Sequence, residues 1–252
     1  MIREDYLREG KLTAFTGIPF DSEHPYTYLE AKRLLKLIIE ELKGDKGFIG
    51  KVGVDKTSPG RPAITGREST GVWDFLRMAR VGGPHTFTRY PHLTVAVGVD
   101  HMEADVTLPN GVPEKTRTRV LGEDLEVFEQ RMAQVLSNMR GVIRSDDSVR
   151  PVVKVLQRHY ATQRSLLTRD ALIYCDLRTA FRSKRKSAHK YQPEWLRTIY
   201  NVMMHKRSNL QFQVGVEIPY IHSTVIKTPR ATKLIADAFL ALRPLLGRCS
   251  SR

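Results

Sequence analysis

Apolar positions recur along this chain with two different periods. From Tyr28 to Lys43, Leu34, Leu35, Ile38, Ile39 and Leu42 return at helical spacing, with Pro25 ahead and Gly44 just past the end, which predicts a helix. Phe48 to Val54 is a short apolar run studded with glycine and reads as a strand, followed by a loop from Lys56 to Gly71 that holds Pro59 and Pro62. Trp73, Leu76 and Ala79 suggest a short helix stopped by Gly82 and Gly83. Leu93, Val95, Val97 and Val99 then alternate with smaller or polar residues, the period of a half-buried strand, and Met102 to Leu108 continues as its hairpin partner.

Asp124 then opens a helix whose apolar face is Leu125, Phe128, Met132, Val135, Leu136 and Met139, closed by Gly141. Another helix is expected after Pro151, a strand from Ala171 to Leu177, a charged loop from Arg178 to Lys190, and a helix from Trp195 to Met204. Leu210, Phe212, Val214 and Val216 alternate as a strand, with Ile218 to Ile226 as its second arm. Thr228 and Pro229 read as an N-cap and first helical position for a last helix through Leu242.

Two segments resemble each other. LTVAVGVD at 93–100 and LQFQVGVE at 210–217 share Leu, Val, Gly, Val and a terminal acid, and Trp73 and Trp195 stand at a similar offset as anchors of matching helices. The pattern points to an internal duplication, with halves at 1–141 and 142–252 that could also form one pseudo-twofold domain. Each half would run helix, strand, helix, hairpin, helix. The expected class is α+β: a mixed, largely antiparallel sheet covered by helices.

Charge changes this picture more than composition does. The formal net charge is +14, and residues 151–252 hold 19 Lys+Arg against 5 Asp+Glu, while residues 1–150 are near balance. A field that lopsided attracts polyanions, so nucleic acid, DNA or RNA, is the leading partner, with another polyanion as the wider class. The start MIREDYLREGKL mixes charges of both signs and has no apolar stretch, and no run approaches membrane-spanning length. Cys175 and Cys249 offer neither a disulfide framework nor a zinc spacing, so a reducing, cytoplasmic setting without membrane attachment is expected.

Two groups of residues carry candidate chemistry. The loop at 178–190 supplies Arg178, Arg182, Lys184, Arg185, Lys186 and Lys190 without an acid, and Arg197, Lys206 and Arg207 extend the charge beyond it. Several mobile cations with Phe181 and Tyr191 nearby suit phosphates and unpaired bases. Asp100, His101, Glu103 and Asp105 are the densest group of metal-ligand types, and on a strand the last three share one side. The expectation for that group is a polar, solvent-facing strand with its side chains splayed, as half-exposed strands show.

The first reading is therefore a non-enzymatic nucleic-acid-binding protein that needs no cofactor, its phosphate contacts in the second half. The alternatives are a phosphodiesterase or nuclease using Mg²⁺ or Mn²⁺ at Asp100, His101, Glu103 and Asp105, and a basic scaffold subunit docking an acidic protein.

Overall fold

The computed structural model describes residues 25–54, 65–67, 71–78, 90–98, 100–159, 168–181, 194–206, 208–226 and 228–246. In chain order these form α1 (Pro25–Gly44), α2 (Lys46–Val52), β1 (Thr65–Arg67), β2 (Gly71–Arg77), β3 (His92–Gly98), β4 (His101–Leu108), α3 (Glu114–Leu121) and α4 (Leu125–Ser145). They continue as β5 (Arg150–His159), β6 (Thr168–Asp176), α5 (Glu194–Met204), β7 (Gln211–Pro219), α6 (Ala231–Ala241) and α7 (Arg243–Leu246).

The strands make one sheet in the order β1-β2-β3-β4-β7-β5-β6, and every described pairing is antiparallel. The α+β class is as expected, with the sheet antiparallel throughout rather than mixed. β4 pairs with β7, so the sheet runs unbroken from the first half of the chain into the second.

Period-2 alternation divides this sheet into two unlike faces. Leu76, Leu93, Val95, Val97, Met102, Ala104, Val106, Val153, Val155, Phe212, Val214, Val216 and Ile218 lie on one face. They belong to a single core with Leu35, Ile38 and Leu42 of α1, Phe128, Met132 and Val135 of α4, and Ile235 and Phe239 of α6. The opposite face carries Thr94, His101, Glu103, Asp105, Thr107, Lys154, Gln213 and Glu217 at the intervening positions. It is polar and yet largely buried.

Several elements differ from the sequence expectation. Residues 46–52 are helical: Asp45 Oδ1 accepts from Phe48 N at 3.0 Å as an N-cap, and Gly53 closes the helix at φ 78°. Phe48, Ile49 and Val52 then fall on its buried side. Residues 71–77 form a strand, because Val72 and Leu76 alternate onto the core face opposite Val97 and Leu93. Residues after Pro151 form β5, where the β-branched run Val152, Val153 and Val155 sits between two strands and is buried on both faces. α4 continues past Gly141 to Ser145.

The structure does not confirm the duplication. Trp73 lies in a strand and Trp195 in a helix, neither is buried, and residues 220–226 turn instead of returning as a hairpin arm. α6 starts at Ala231 with Arg230 at the cap position; Thr228 stands one turn upstream, accepting from Arg230 N at 3.2 Å. The preceding 220–226 segment is tied down by Asp146 at the C-terminus of α4, whose carboxylate accepts from Ser223 Oγ and Val225 N.

Candidate active site

The polar face gathers its charges where β4, β7 and β5 lie side by side. Glu103 is directly opposite Glu217, Asp105 is opposite Gly215, and Lys154 of β5 is opposite Gln213 of β7. Asp105 and Lys154 therefore sit two strands apart, roughly 10 Å by sheet spacing. They meet across β7: Lys154 Nζ is 3.1 Å from Asp105 Oδ2, 3.0 Å from Glu103 Oε2 and 3.8 Å from Glu217 Oε1.

Gly215 makes that crossing possible. A Cβ there would run into the Ala104 carbonyl oxygen and Asp105 Oδ1, so the Asp105 carboxyl lies in the notch that the missing side chain leaves. Gln213 Nε2 donates to Asp105 Oδ2 and to Thr107 Oγ1, both at 3.3 Å, and Thr107 pairs with Thr94 at 2.8 Å. Asp105 is 0% exposed, and among the described residues its Oδ1 finds no hydrogen-bond partner.

His101 stands at the start of β4 between acids on both sides. Its Nδ1 donates to Asp100 Oδ1 at 2.5 Å and its Nε2 to Glu103 Oε1 at 2.9 Å, with Glu217 Oε1 at 3.9 Å. Tyr174, on the edge strand β6, donates its hydroxyl to Glu217 Oε2 at 2.7 Å. One ligand atom each from His101, Glu103 and Glu217 lies within 4.8 Å of the others, a set suited to a divalent cation with nitrogen and oxygen ligands.

The protonation pattern follows from burial and neighbours. Burial works against charge on His101, but Glu103, Glu217 and Asp100 outweigh it and lift its pKa to about 9. Burial would raise Glu103 as well, yet Lys154 and His101 hold it below the usual carboxylate range. For Asp105 burial prevails over the attraction of Lys154, and with the charges of Glu103 and Glu217 it pushes the carboxyl up to about 7. Lys154 is buried, but Asp105, Glu103 and Glu217 raise it above the ordinary lysine value. Burial and the bond to Glu217 keep the Tyr174 hydroxyl protonated well past its usual range.

These shifts predict how stability varies with pH. His101 is raised from 6.5 to about 9, so its contribution is complete below pH 6.5 and is lost as the pH climbs through 9. Asp105, raised from 3.8 to about 7, loses its contribution in the same direction at lower pH. In chelator, unfolding free energy should fall by about 2 kcal/mol between pH 6.5 and 9, and His101→Gln should flatten most of that slope. Chemical unfolding at four pH values checks this; an unchanged slope in the variant would show that His101 is not held as a cation.

Of the four sequence candidates, His101, Glu103 and Asp105 do share one side of β4. Contrary to the expected splaying, His101 and Glu103 converge, but with Glu217 as the third ligand type, while Asp105 turns to Lys154 instead. Asp100 precedes the strand and touches the group only through His101. Lys154 and Glu217 complete the centre from distant strands and were not singled out by sequence for it. The available signal was a lone lysine inside the aliphatic run PVVKVL, a position that only a paired charge can occupy cheaply.

Three of the basic candidates, Arg178, Arg197 and Lys206, lie among the described residues. Arg178 is held by Asp176 through both carboxylate oxygens at 2.6 to 3.1 Å. Arg197 pairs with Glu194 at 3.7 Å on the outside of α5, and Lys206 is exposed just after that helix. Arg182, Lys184, Arg185, Lys186, Lys190 and Arg207 lie outside the described residues. Among the described residues no helix is long and apolar enough to cross a membrane. Comparison with protein-family models, with curated proteins and with solved structures finds no match for this chain.

Proposed function

We propose that the chain cleaves phosphodiester bonds in nucleic acid with the help of a divalent cation, Mg²⁺ or Mn²⁺, at the centre on β4, β5 and β7. The observation that carries this reading is the meeting of His101, Glu103 and Glu217 within 4.8 Å beside the buried ammonium of Lys154. One nitrogen and two carboxylates brought together from two strands make a donor set suited to a single divalent cation, which would take the place of the imidazole proton. The Asp105 carboxyl flanks this set through Oδ2 on Lys154, while its Oδ1 lies against Gly215.

A cation on this set would polarise a phosphoryl oxygen and make water a stronger nucleophile. Lys154, fixed among the carboxylates, would offset negative charge growing on the phosphorus oxygens. Water oxygen adds to phosphorus as the bond to the leaving sugar oxygen breaks; the proton lost by water is balanced by the one the leaving oxygen gains. The 19 basic against 5 acidic residues of 151–252 support a polyanionic substrate.

The test is end-labelled DNA and RNA, single-stranded and duplex, incubated with Mg²⁺ or Mn²⁺. Cleavage of at least one substrate is expected, with none in chelator. Glu217→Gln should slow it by about 100-fold or more, since even groups behind metal ligands cost 10–100-fold when removed. A folded wild-type protein that cuts none of the four with either cation overturns the proposal. Retention of those substrates on the uncutting protein would then leave a non-catalytic nucleic-acid-binding role.

A further inference from the structure

We infer that the centre takes one divalent cation rather than two, because Lys154 Nζ permanently fills the place of a second. This rests on the cation reading above and adds the stoichiometry and the role of the lysine.

Glu103 faces two positive positions at once. Its Oε1 is turned to His101 Nε2 at 2.9 Å, while its Oε2 is 3.0 Å from Lys154 Nζ. Glu217 Oε1 stands between the same two positions, 3.9 Å from the imidazole nitrogen and 3.8 Å from the ammonium. Two carboxylates therefore border adjoining sites, the arrangement that bridges a pair of ions in two-metal phosphoryl-transfer centres. On the lysine side the chain itself supplies the cation, while on the histidine side the imidazole nitrogen is a ligand and an ion would enter in place of its proton.

Lys154 is not free to withdraw. Its side chain is 8% exposed, and Val152 and Leu156, on the same side of β5, are buried to either side of it. A hydrated ion arriving at Glu103 Oε2 and Asp105 Oδ2 would have to displace an ammonium that has nowhere else to go.

The experiment titrates the full, chelator-stripped chain with Mn²⁺, read by calorimetry and by electron paramagnetic resonance. One Mn²⁺ per chain with the spectrum of an isolated ion is expected for the wild type. Two per chain, with the spectrum of a spin-coupled pair, are expected for Lys154→Met and Lys154→Gln. Two ions in the wild type, or one in folded lysine variants, overturn the inference while leaving the cation site in place. No binding, or binding unchanged in His101→Gln and Glu217→Gln, overturns the cation reading itself. The wild-type count tests the stoichiometry by itself, and Lys154→Gln, assayed with Mn²⁺ present during refolding, tests the role of the lysine if Lys154→Met does not fold.

Discussion

Lys154→Met is expected to lower the unfolding free energy by about 3–5 kcal/mol, the largest loss from any single substitution in the centre. Methionine fills the same volume and keeps the contacts of the stem, so the loss isolates the charge. What remains is Glu103, Asp105 and Glu217 facing one another with their shared counter-charge gone. Asp105, whose pKa is already lifted to about 7, can take up a proton and soften the repulsion, which places the expected loss at the lower end. Denaturant unfolding in chelator at pH 7 measures it, and a loss under about 1 kcal/mol would show that water reaches the carboxylates freely. Replacing the lysine and all three acids together with uncharged residues of similar size should cost far less than the single change, because no charge is then left without a partner.

Gly215→Ala should cost about 3 kcal/mol although it adds one methyl group. The added carbon would meet the backbone oxygen of Ala104, which belongs to a strand paired on both sides and cannot move without disturbing two ladders. It would also evict the Asp105 carboxyl from the notch and pull it off Lys154. Because part of the loss passes through Asp105, the variant should not be additive with Asp105→Ala: the double variant should be less destabilised than the two single losses combined, by 1 kcal/mol or more. Additive losses would mean that the glycine serves the backbone alone. In a cleavage assay Gly215→Ala should also lose activity, because the lysine would lose one of its three partners.

How much of this was legible before the structure varies by element. α1, α4, α5, β3, β4 and β7 each display a clean period, and each forms close to where that period places it. The failures share a cause. Residues 46–52, 71–77 and 150–159 are short or apolar on both sides, so neither period dominates, and neighbours settle the outcome. β5 is the clearest case: buried between β7 and β6, it presents valines to both faces and reads along the chain as readily as helix. The apparent repeat is not confirmed for a related reason, since five shared positions in eight residues fit any two strands with one buried face, and β3 and β7 are two such strands on opposite sides of β4.

The sequence by itself determined the α+β class, the strand that carries His101, Glu103 and Asp105, their common side, and the concentration of positive charge after residue 150. Those properties are local, arising from backbone period and from composition. Tertiary structure alone decided that this side is a buried charged centre instead of a wet strand surface. Lys154 comes from 49 positions beyond Asp105 and Glu217 from 112, brought alongside only by the strand order β4-β7-β5. Which strands become neighbours is a matter of pairing between segments far apart in the chain, and no spacing along it records that. The glycine that lets the charges touch carries no side chain to announce itself, so its role appears only where a Cβ would have no room.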